Sequence, residues 1–172
     1  MNLQEKTIAI LAEKLYEELE LWYPLLRLRE AGANVVVTSR PSLETCQGKY
    51  GYPLKIDMPV TELDSGNVDA VVIPGGYAPD HLRRYPVIID FVRQVHERDG
   101  VVAFICHGGW VAISADILRG KRTTSFFAIK DDMINAGAIW EDSQVVRDGK
   151  LISSRTPDDL PAFCRSLIES LQ

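Results

Sequence analysis

Short apolar runs alternate with stretches of helical spacing along most of the chain. TIAILA (7–12) leads into a helix predicted over Tyr16 to Ala31, with Leu15, Leu19, Trp22, Leu25 and Leu26 as its apolar face and Gly32 as its stop. NVVVTS (34–39) is again β-branched, which completes a strand, helix, strand unit. DAVVIPGG (69–76) predicts a third buried strand that ends in paired glycines. Pro86 opens an amphipathic helix carrying Val87, Ile88, Phe91, Val92 and Val95. VVAFIC (101–106) is a further buried strand, followed by a helix predicted over 108–118 and Gly120. Beyond it lie a short strand near Thr123 to Phe126 and a helix over Lys130 to Ala136. The pair Asp148–Gly149 marks a hairpin turn. A final helix places Leu160, Phe163, Cys164, Leu167, Ile168 and Leu171 on one face. Strands apolar throughout and separated by amphipathic helices imply a mostly parallel sheet covered on both sides.

Length narrows this to one domain, 1–172, large enough to bury a full core without disulfides or metal. No linker, repeat or low-complexity segment interrupts it. A net charge of −5 argues against a nucleic-acid partner, since phosphate binding needs a basic face. With neither a basic-then-apolar leader nor a membrane-length apolar run, a cytoplasmic address is the default expectation. Cys46, Cys106 and Cys164 form no even set and no C-x-x-C pair, and His81, His96 and His107 offer no close-spaced metal cluster. Reduced thiols, no metal and no cofactor are expected.

Of the three cysteines, Cys106 stands apart. It closes a strand whose carboxyl end is where ligands gather in such sheets, and a helix begins within two residues. That position predicts a thiol of lowered pKa at a helix N-terminus, with Gly108 and Gly109 permitting a sharp, strained turn. The turn resembles a nucleophile elbow, although Phe104 stands at that motif's first glycine. By contrast, Cys164 belongs to an apolar helix face and Cys46 to a polar loop without an adjacent base. Gly75–Gly76 ends the neighbouring strand, so its N–H groups and that of His107 are candidates for an oxyanion hole.

AFICHGG, VIPGGYAPD, TSFFAIKDDMINAGAIW and SSRTPDDLPAF together resemble the PfpI-like intracellular protease family, the ThiJ/PfpI branch of the class I glutamine amidotransferase-like superfamily. The resemblance runs from about Lys6 to Leu171. It implies a flavodoxin-like αβα sandwich with a small β-hairpin and an oligomer, dimer or hexamer, whose subunits share the active site. It also implies a catalytic set of Cys106, His107, Asp80 supplied by a neighbouring subunit, and Glu17 hydrogen-bonded to the sulfur, with Gly76 and His107 as oxyanion donors. Read without the resemblance, Glu17 is one of four clustered glutamates in a helix's first turn, and Asp80 is a helix cap. The sequence departs from the family where relatives often carry Tyr (here Phe126) and Pro (here Gly109, followed by Trp110).

The function so implied is a cysteine hydrolase or lyase in which the thiolate attacks a carbonyl. Such an enzyme is an intracellular peptidase, or a glyoxalase or deglycase acting on methylglyoxal and its adducts, with a role in stress protection. A redox-sensing or chaperone-like stress protein that oxidises Cys106 is the alternative. An adjacent His107 favours turnover over sensing. A glutamine amidotransferase would need a histidine well after the cysteine, and none follows His107.

Overall fold

The computed structural model describes residues 2–172. Its central sheet holds seven strands. β1 (Thr7–Leu11) is flanked by β2 (Asn34–Ser39) and β6 (Ala70–Ile73), and β7 (Val101–Ile105) lies outside β6. These four run parallel. β5 (Met58–Pro59) closes one edge, and the antiparallel hairpin β10 (Val145–Asp148) and β11 (Leu151–Ser154) closes the other, with β11 parallel to β7. The inner strands β1, β6 and β7 are buried on both faces apart from Thr7. That explains their unbroken apolar sequences.

Two helices cover one face and three the other. α1 (Glu18–Glu30) packs beside α6 (Leu160–Leu171) over a core that includes Ile8, Ile10, Val72, Ala103 and Ile105. On the opposite face α3 (Pro86–Glu97), α4 (Gly109–Ser114) and α5 (Lys130–Asn135) enclose Val71, Ile73, Val102 and Phe104. α6 buries all six residues assigned to its apolar face, each contributing about 1.5–3 kcal/mol of transfer free energy where it is a large aliphatic or aromatic side chain. A short helix α2 (Ala78–Leu82) follows the Gly75–Gly76 turn.

Several expectations shift. α1 begins at Glu18, and its buried residues are Glu20, Leu21, Pro24, Leu25 and Leu28, whereas Leu15, Leu19 and Leu26 are exposed. Leu15, with φ +63°, precedes the helix, so the apolar face is rotated from the one its leucines suggested. α4 stops at Ser114 because Asp116 turns to φ +55°. The strand expected near Thr123 shrinks to β8 (Arg122–Thr123), paired with β9 (Ile139–Trp140). The hairpin turn is Gly149–Lys150, one residue later than expected, since Asp148 pairs with Leu151. Cys46 lies in no loop. It sits buried on β3 (Thr45–Gln47), paired with β4 (Pro53–Lys55), a hairpin too short to show alternation. No helix among the described residues is long and apolar enough to cross a membrane.

Candidate active site

β7 delivers Cys106 to the carboxyl edge of the sheet, where the chain turns through Cys106–Gly108 into α4. Cys106 has φ +60°, a region that costs a non-glycine residue of order 1–3 kcal/mol and is held only by surrounding structure. The constraint comes from both sides. The Phe126 N–H donates to the Cys106 carbonyl at 3.2 Å, and the Gly75–Gly76 turn presses against the thiol from β6. A Cβ on Gly75 would lie 2.7 Å from Cys106 Cβ, and Gly76, at φ +76°, would bring one within 2.4 Å of the Leu15 carbonyl oxygen. Only glycines allow the two turns to meet so closely.

The backbone amides of Gly76 and His107 lie at the Cys106 sulfur and favour its thiolate form. His107 Nδ1 lies 3.2 Å from Sγ. Its ring is flanked by Trp110, at 5.0 Å between centroids, and by Phe126, at 5.1 Å. Gly76, Cys106, His107 and Phe126 line a cavity of about 270 Å³ together with Glu17, Glu20, Lys49, Tyr77, Thr156 and Pro157. Larger surface hollows lie at the opposite end of the sheet, around Lys6 and Asp69, and beside β3. Neither holds Cys106, so size does not pick out the site here and chemistry does.

The carboxyl at the sulfur belongs to Glu20 rather than Glu17. Segment 15–17 pairs with the glycine turn: Tyr77 N–H donates to the Leu15 carbonyl at 2.9 Å and Glu17 N–H to that of Gly75 at 3.2 Å. Glu17 thereby becomes the N-cap of α1, its Oε2 accepting the Glu20 N–H at 2.9 Å. One turn on, Glu20 points inward with no exposed surface. Its Oε2 accepts the Gly75 N–H at 2.8 Å and faces the Cys106 side chain across that glycine, where a Cβ would lie 2.5 Å from Oε2 and 3.1 Å from Sγ. Oε1 meets no hydrogen-bond partner among the described residues. Glu17 remains in the cavity wall but acts on the helix and, through its charge, on Glu20.

Electrostatics reverse one expectation. Burial, and then the Glu17 charge, push the Glu20 carboxyl up to about 8. Burial, and then the Glu20 charge, push the Cys106 thiol up to about 12, against the pull of the two amides. The lowering expected from a helix N-terminus does not prevail, because α4 has only six residues and the sulfur is nearly sealed from water, at 8% exposure. These two groups titrate as a pair. Near neutral pH Glu20 holds its proton, its repulsion vanishes, and its O–H becomes a donor to sulfur. Burial, then Lys49, lower the His107 pKa, so the imidazole is neutral and able to accept the thiol proton.

Asp80 stands apart from this cluster. It lies on α2, half-buried and ion-paired with Arg84, and makes no contact with His107 of its own chain among the described residues. Lys49 escaped sequence reasoning altogether. Its N–H donates to the Tyr16 carbonyl at 2.9 Å, which holds it beside α1 across 33 residues of sequence, and no local pattern signals that contact.

The DJ-1/PfpI family model matches residues 6–170, which include the positive-φ cysteine, its histidine and the facing glycine turn. The chain belongs to the DJ-1/PfpI family. Among its relatives are the deglycase PfpI of Pyrococcus furiosus, 40% identical over 96% of this chain and 99% of that protein, and protein/nucleic acid deglycase 2 of Escherichia coli, 38% identical over 96% and 98%. A crystal structure of a two-domain Anabaena variabilis protein, with DJ-1/ThiJ/PfpI-like and ferritin-like domains, superposes with a TM-score of 0.94 at 44% identity. That match covers 96% of this chain and 48% of the two-domain one. The family's fold, a mostly parallel sheet between helices with a small antiparallel hairpin, is the one described above, and relatives named as deglycases make this a DJ-1/PfpI-family enzyme.

Proposed function

We propose that the protein is a cysteine-dependent enzyme that adds Cys106 to a small carbonyl, with methylglyoxal and its adducts on amines or thiols as the substrate class. One observation carries the reading: His107 Nδ1 lies 3.2 Å from the Cys106 sulfur, and the Gly76 and His107 amides beside it favour negative charge. As sulfur attacks the aldehyde carbon, His107 takes the thiol proton and the new oxyanion forms beside those amides. With methylglyoxal the product is a hemithioacetal. Proton transfer from C1 to C2 through an enediol converts it to a lactoyl thioester without external oxidant, and water then releases lactate and restores the thiol. On an amine adduct, a hemiaminal, sulfur instead displaces the amine at the same carbon: the C–S bond forms, the C–N bond breaks, the amine leaves with the proton taken from the thiol, and the same hemithioacetal results. The deglycase names of the relatives support this class, and so does a cavity of about 270 Å³, which suits a three-carbon dicarbonyl better than a polypeptide segment. A sensor that works by Cys106 oxidation would need no proton acceptor at the thiol.

A second copy of the chain is the proposed partner. Among the described residues the Asp80 side chain is ion-paired with Arg84 alone, and its place on α2, just after the glycine turn, suits it to approach a neighbour's His107. Leu19, Tyr23 and Leu26 form an exposed apolar stripe on α1 that a second copy would cover. The deciding comparison is turnover of methylglyoxal, a methylglyoxal–amine adduct and an unstructured peptide by the parent, Cys106→Ser and His107→Gln. Lactate formation lost in both variants supports the reading; peptide cleavage alone, or lactate formation that survives Cys106→Ser, refutes it.

A further inference from the structure

The geometry points to Trp110 as a positioning residue that holds the His107 ring in register with the Cys106 thiol, a role that rests on His107 being the proton acceptor proposed above. The ring has little else to hold it. Within the chain its recorded contacts are Sγ on Nδ1 and two aromatic walls, Trp110 at an interplanar angle of 64° and Phe126 at 32°. No carboxylate of the same chain meets it among the described residues, and Asp80 is engaged by Arg84.

Trp110 is itself pinned from behind. Its Nε1–H donates to Asp132 Oδ2 at 2.8 Å, which ties it to α5. The Arg83 guanidinium sits over the indole at 5.8 Å, and Arg83 Nε–H donates to Ser114 Oγ at 3.0 Å, which holds the guanidinium against Trp110's own helix, α4. Trp110 is missing from the walls of the Cys106 cavity. It lines a separate hollow of about 390 Å³ with Arg83, Ile113, Asp132, Asn135 and Ala136. Substrate at the sulfur therefore does not reach the indole, whose effect passes through His107.

The consequence is chemical because an imidazole rotated about its Cβ–Cγ bond presents carbon where Nδ1 should be. A proton transfer set at 3.2 Å does not survive that rotation, and misplacements of about 1 Å cost up to about 100-fold. An indole set at a steep angle to the ring and a tilted phenyl ring, each about 5 Å away between centroids, permit only small excursions. Near His107 the titratable groups are Cys106, Glu17, Glu20, Lys49 and Tyr77 in the shared cavity, with Arg83 and Asp132 beyond Trp110.

The test compares Trp110→Leu, Trp110→Phe and Asp132→Ala with the parent. It uses lactate formation from methylglyoxal, and 15N spectra of the histidine rings assigned with His107→Gln. Trp110→Leu is expected to lower kcat about tenfold with KM within about twofold, to mix the His107 tautomers, and to raise the His107 pKa toward its ordinary value as burial is relieved. Trp110→Phe keeps a wall and should recover most of kcat; Asp132→Ala, which removes the pin without touching the pocket, should fall between. If Trp110→Leu retains the parent's kcat, tautomer and titration, Trp110 is only packing. The same conclusion follows if Trp110→Leu misfolds while Asp132→Ala and Trp110→Phe leave the His107 spectrum unchanged. Absence of lactate formation in the parent would overturn the proposed reaction instead, and the ring spectra would still decide the role of Trp110.

Discussion

Replacing Glu20 by Gln should make the protein more stable at neutral pH, and more so as pH rises. In the folded chain the Glu20 carboxyl titrates at about 8 rather than 4.5. An acid whose pKa is raised by folding binds more protons folded than unfolded between those values, so its presence lowers stability progressively from about pH 4.5 to pH 8. Integrated to pH 7, the loss is of the order of 3 kcal/mol. Gln keeps the shape of the protonated acid: its carbonyl can accept the Gly75 N–H and its amide can donate to sulfur, without an ionisation to suppress. In a chain of 172 residues each kcal/mol moves Tm by about 2–4 °C. The Tm advantage of Glu20→Gln should therefore grow by roughly 6–12 °C between pH 4.5 and pH 7. Differential scanning calorimetry across that range measures it. Parallel Tm curves for parent and variant would show that Glu20 ionises freely in the folded protein, and the protonated-donor account of the site would go with it.

The same two shifts predict a bell-shaped profile for kcat/KM, with an acid limb below pH 6.5 from His107 and a basic limb near 8 from Glu20; Glu20→Gln should abolish the basic limb, and its persistence would assign it elsewhere. Glu17→Ala should cost about 1 kcal/mol as a lost N-cap. It should also shift the Glu20 limb downward as the neighbouring charge is removed, whereas loss of all activity at unchanged Glu20 titration would make Glu17 the catalytic carboxyl after all. Mixing Cys106→Ser chains with Asp80→Ala chains should restore activity through hybrid sites. Verified subunit exchange without recovery would confine Asp80 to its own chain. Alkylation of Cys106 by a small reagent should accelerate above neutral pH, as expected of a buried thiol raised to about 12, and a plateau already reached at pH 6 would mean a preformed thiolate.

The local sequence was enough for whatever depends on neighbours along the chain. Five apolar residues before Cys106 are a buried strand wherever they are placed, and a cysteine between that strand and paired glycines has to emerge at the sheet's carboxyl edge. The facing turn at Gly75–Gly76 followed from the same logic. What the sequence left open was set by contacts across the chain. EELE offers several carboxylates within one helical turn, and nothing along the chain tells them apart. Pairing of residues 15–17 with the glycine turn starts the helix at Glu18, makes Glu17 its cap and carries Glu20 inward. The thiol's acidity was misjudged for a related reason. A helix N-terminus is visible in sequence, but burial is the sum of α1, the glycine turn and Phe126 closing over the sulfur, and that sum outweighs a six-residue helix. Trp110 and Lys49 belong to the same class: their chemistry arises from the elements they meet, α5 for one and α1 for the other, and only the packed structure brings those together.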